Sequence, residues 1–91
     1  MKKEIVRVDW IDSCASNTKW TLDEFDGAKD LDVEPVKITT TGVQVLDGDT
    51  YIVVAQNYGV NPQQFCSLMS IPKGCITSTR VLDVIEFENE E

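Results

Sequence analysis

From Val36 to Leu82 the chain reads VKITTTGVQVLDGDTYIVVAQNYGVNPQQFCSLMSIPKGCITSTRVL, and this stretch decides the fold. β-Branched and aromatic residues alternate with polar ones in runs of strand length, and turn chemistry cuts the runs apart. Val36 to Leu46 alternates, with Val36, Ile38, Thr40 and Gly42 on one face. Its phase changes at Gly42, after which Val43 and Val45 take the apolar positions. A glycine at a phase change inside a strand marks a bulge or a sharp bend. Asp47-Gly48-Asp49 supplies hairpin chemistry, because Asp and Gly accept the backbone conformations that tight turns demand. Thr50 to Gln56 follows as a strand, with Ile52 and Val54 opposite Tyr51, Val53 and Ala55. Asn57 to Gln64 has the composition of a loop. Strand patterning returns at Phe65, breaks at the tight turn Pro72-Lys73-Gly74, and resumes from Ile76 to Phe87. In this last run neither face is cleanly apolar, the pattern of an edge strand or of one covered partly by a second subunit.

Towards the N-terminus, Ile5 to Trp10 alternates as a half-buried strand, with Val6, Val8 and Trp10 on one face and Ile5, Arg7 and Asp9 on the other. Asp12 to Lys19 is a polar loop by composition. Trp20 to Phe25 has the marks of a helix start: Thr21 as N-cap, Glu24 three residues on, and Trp20 and Phe25 placed to pack as a staple. Gly27 ends that helix after little more than one turn, and an acidic connector, Asp30 to Pro35, leads back to the strands. The expected fold is mainly β: a small curled sheet or barrel of about five strands, SH3-like or Sm-like, with one short N-terminal helix. Residues 1–87 form a single domain and 88–91 an acidic tail.

Composition narrows the function. Sixteen acidic residues against eight basic ones leave a net charge of −8 on 91 residues. Such a body repels polyanions and anionic lipid, and sequence-independent nucleic-acid binding needs a basic stripe that is missing here. Cys14, Cys66 and Cys75 form no C-x-x-C pair and the chain has no histidine, so neither a structural metal nor a cofactor is expected. The thiols read as reduced. The N-terminus lacks the apolar run of a signal peptide, and no segment has the length and apolarity of a membrane span, so a cytoplasmic location is expected.

Catalysis is not expected either. Without histidine the usual general base near neutral pH is missing. Acidic neighbours raise the pKa of the Cys14 thiol rather than activating it. The candidate ligand-binding residues are polar and aromatic groups on turns and strand faces. Lys73 and Gly74 offer a charge and backbone N–H groups to a phosphate. Arg80, Lys37 and the hydroxyls of Thr39, Thr40 and Thr41 share one face of adjoining strands, and Tyr58 and Phe65 offer rings that stack on a base.

Three local patterns carry a resemblance: Trp10-x-Asp12-Ser13 followed by Trp20, the strand Thr39 to Leu46 with its hairpin into Tyr51 to Gln56, and the turn Ile71-Pro72-Lys73-Gly74-Cys75-Ile76. In this order they resemble small, functionally unassigned β-rich proteins encoded by bacteriophages and prophages. Many of those place serine-valine-glycine where this chain has Thr40-Thr41-Gly42. The resemblance implies a phage setting, acting in the host cytoplasm. There a small protein without catalytic groups acts by binding. The leading expectation is an oligomeric protein that sequesters a nucleotide-derived immune signal between subunits. The alternatives are an acidic inhibitor or adaptor of a host protein, and a virion-associated structural β module.

Overall fold

Val6, Val8 and Trp10 are buried, at 1%, 0% and 6% exposure, on one face of strand β1 (Lys2–Asp12). Period-two alternation thus delivers the inner face that the sequence implies. The computed structural model describes residues 1–13, 21, 23 and 35–87. After β1 come β2 (Val36–Asp47), β3 (Tyr51–Val60), β4 (Gln63–Pro72), a 3₁₀ turn (Lys73–Cys75) and β5 (Ile76–Glu86). They form one antiparallel sheet in the order β4-β3-β2-β1-β5, with β4 and β5 at its edges.

The sheet curls on itself. Val6, Val8 and Trp10 share one core cluster with Ile52 and Val54 of β3 and Ile71 of β4. In a flat sheet, β1 and β3 lie about 10 Å apart with β2 between them, too far for their side chains to mix. β2 makes the bend. Its first part pairs with β1, up to Ile5 opposite Val43, and its second part pairs with β3 from Val43 opposite Ala55, with a register shift between Gln44 and Leu46. Gly42 sits at the crossing: a Cβ there would collide with the Ala55 carbonyl oxygen and stand 2.9 Å from Val54 Cγ1. Only glycine lets the two backbones approach so closely.

At the far end, Phe87 closes over the β3–β4 hairpin. Its buried ring meets Tyr58 edge-on at 5.6 Å and Phe65 at 5.4 Å between centroids. The Phe87 N–H donates to the Met1 carbonyl at 2.7 Å, and the Met1 amino group donates to the Phe87 carbonyl at 2.9 Å. The end of β5 is thereby tied to the start of β1.

The loop expected from Asn57 to Gln64 is mostly strand. β3 runs to Val60, β4 begins at Gln63, and only Asn61-Pro62 turns between them. Tyr58 faces Phe65 in this extension, a cross-strand aromatic pair that polar composition does not reveal. Of the short helix expected over Trp20 to Phe25 only Thr21 and Asp23 are among the described residues, and the connector up to Glu34, Cys14 and the acidic tail lie outside them. No helix among the described residues is long and apolar enough to cross a membrane.

Candidate functional site

The outward face of β1 carries Ile5, Arg7, Asp9 and Ile11, the alternates of the core residues. Register fixes their neighbours. Arg7 stands between Thr41 of β2 and Arg80 of β5, and Asp9 between Thr39 and Ser78. Asp9 is the organising group. Its Oδ1 accepts the Thr39 hydroxyl at 2.7 Å and Arg7 Nε at 3.4 Å, and its Oδ2 accepts the Ser78 hydroxyl at 3.0 Å. The Thr77 hydroxyl donates to the Asp9 carbonyl at 3.0 Å. The Thr39 and Ser78 hydrogen bonds, more than the Arg7 charge, hold the Asp9 carboxyl below its ordinary value of 3.8. An ionised carboxylate so engaged is a weak base. Its role here is to fix Arg7 and two hydroxyls in place.

Beside this array opens a cleft of about 420 Å³, lined by Arg7, Asp9, Lys37 and Thr39 with Trp10 and Ile38 among its apolar walls. Arg7 and Arg80 face each other across β1 and β5. Arg7 has Asp9 as a partner. Arg80, exposed, has no ion pair or hydrogen bond among the described residues.

The residues nominated from sequence fall in four places. Arg80 joins the outward array, together with Lys37, Thr39 and Thr41 from the predicted shared face. Thr40 does not: it is 2% exposed, opposite Val8, and its hydroxyl accepts the Trp10 indole N–H at 3.0 Å. Alternation turns it inward, and a buried indole N–H needs an acceptor, so Thr40 is a core residue and not a ligand contact. Lys73 and Gly74 lie in the 3₁₀ turn, where Lys73 Nζ pairs with Asp47 Oδ1 at 2.8 Å. They border a separate depression of about 330 Å³ with Ile76 and Thr79. Thr79 faces inward opposite Val8 while Arg80 faces outward, so Lys73 and Arg80 serve different faces of β5. Tyr58 and Phe65 belong to the aromatic cluster with Phe87. Cys66 and Cys75 are free thiols, one on β4 and one in the turn.

Sequence reasoning passed over Arg7, Asp9, Thr77 and Ser78 as a group. Alternation does place Arg7 and Asp9 on one face of β1. The signal that completes the group is the β1–β5 register, which joins residues about seventy positions apart. Comparison with protein-family models, curated proteins and solved structures finds no match to this chain.

Proposed function

We propose that this protein is a non-catalytic binding module that holds a small phosphate-bearing ligand, a nucleotide-derived signal, on the outward face of β5, β1 and β2. The observation that carries this reading is the Arg7–Arg80 cross-strand pair in a chain of net charge −8. Like charges directly opposite on neighbouring strands cost a few tenths to about 1 kcal/mol. A phosphate bridging the two guanidinium groups turns that repulsion into charge-assisted hydrogen bonds. Lys37 adds a third cation, and the 420 Å³ cleft is of small-molecule size. Ile11, exposed on the outward face, gives a base an apolar wall, and the Thr39 and Ser78 hydroxyls are held in place by donating to Asp9. A polyanion would meet the acidic remainder of the surface; a small anion needs only the local cationic spot.

The strand order and the 3₁₀ turn between β4 and β5 favour an SH3-like or Sm-like barrel as the finer description of the fold. The phage resemblance supplies the setting, in which sequestering a signal of host immunity needs no catalytic group. Native mass spectrometry of protein purified gently from bacteria with nucleotide-based defence reports any retained ligand. Titration calorimetry with cyclic dinucleotides and cyclic ADP-ribose isomers then measures affinity. Arg80→Ala is expected to weaken binding by at least about tenfold while leaving the free protein as stable as the parent or slightly more so, since the repulsion with Arg7 is relieved. Lys73→Ala is expected to have little effect. Absence of any bound nucleotide in both experiments sinks the proposal, as does an Arg80→Ala protein that binds like the parent.

A further inference from the structure

Thr50 to Pro72 contains no Asp, Glu, Lys or Arg, although charged residues make up 26% of the chain. This uncharged run is the β3–β4 hairpin, and β4 is an edge of the sheet. Its outward face carries the cross-strand pairs Tyr51–Pro72 and Val53–Ser70 and the exposed Leu68, whose partner Ala55 is itself fully buried. Leu68 is 59% exposed, and Val60 at the hairpin tip 75%. The other edge differs. β5 carries Arg80, Asp83 and Glu86 and two register shifts against β1, devices that keep a strand edge from pairing with other chains. β4 has no such charge. Its one irregularity is Ser67 at φ 59, and Leu68 to Pro72 runs in regular register beyond it.

We propose that the β3–β4 hairpin is a self-association surface, on which a second copy of this chain docks through the same hairpin. Charge selects this occupant. Each copy carries −8, so any contact that sets acidic residues against their twins adds like-charge repulsion. Among the described residues, the uncharged hairpin is a surface where two such bodies meet without it. A basic partner would be drawn to the acidic surfaces instead. A two-fold arrangement uses one patch on both protomers and covers both copies of Leu68. The inference stands apart from the ligand reading, since it concerns the free protein and another surface.

Light scattering on ligand-free protein tests it. The expected mass is twice the 10.2 kDa of the chain, reached more readily as salt screens the net repulsion. Leu68→Lys, at an exposed position, is expected to return the monomer mass with an unchanged circular dichroism spectrum. Leu82→Lys on β5 is expected to leave the dimer intact. A wild-type protein that stays monomeric at every concentration overturns the proposal. So does a dimer that survives Leu68→Lys, dissociates with Leu82→Lys, or weakens as salt rises.

Discussion

Asp9 and Thr40 are both small polar residues on neighbouring strands, and one residue of alternation separates their fates. Thr40 points inward and satisfies the Trp10 indole; Asp9 points outward and gathers the hydroxyls of Thr39 and Ser78. Because those donors favour the charged carboxylate, the folded-state pKa of Asp9 lies below its unfolded value near 3.8. A group with a depressed folded pKa stabilises fully above the unfolded pKa, and that contribution disappears as pH falls through the lower folded value. Urea unfolding midpoints followed from about pH 5 to pH 2 are therefore expected to drop less steeply for Asp9→Asn than for the parent. Identical slopes would mean that the hydroxyl contacts do not bind the carboxylate in solution.

At the scale of elements, β2 is the piece on which the fold turns. A regular strand would continue beside β1 and leave β3 in the plane of a flat sheet. β2 bends at Gly42, hands its pairing from β1 to β3, and brings Ile52, Val54 and Ile71 over Val6, Val8 and Trp10. Gly42→Ala forces a methyl group into the Ala55 carbonyl, and neither backbone can yield without opening the ladder. The expected loss is about 3 kcal/mol, at the upper end for overpacking, read as a lower denaturation midpoint. A neutral result would show that the strands separate freely at this point. β1 was legible from its alternation alone, since one face is fully buried. β5 was legible as an edge strand over Ile76 to Phe87, but not by which of its faces packs inward, because Val81, Leu82 and Val84 all remain about half exposed, and burial is what gives alternation its meaning.

Across the whole molecule, closure depends on one aromatic ring from beyond the last strand. Phe87 is 6% exposed and joins the end of β5 to the β3–β4 hairpin through Tyr58 and Phe65. Phe87→Ala is expected to cost about 3 kcal/mol and to speed amide exchange along β5 and the hairpin tip more than in β1. Uniform acceleration throughout the sheet would instead show that the ring supports the entire core and not this closure. The same long-range geometry explains why the candidate site was only partly readable. Arg80, Lys37 and Thr39 could be grouped from strand faces; Arg7, Asp9 and Ser78 could not be joined to them without the register.

The sequence by itself determined what depends on near neighbours. Strand periods, the Asp47-Gly48-Asp49 hairpin, the bend at Gly42 and the turn after Pro72 all arise from local sterics and from which side chains prefer to leave water. Tertiary structure alone decided which strands lie side by side and in what register. Pairing energy per residue is nearly the same for many registers, and only burial of a shared core selects one. That selection sent Thr40 inward, set Arg7 against Arg80, and extended the hairpin through Asn57 and Gln64, where composition had indicated a loop.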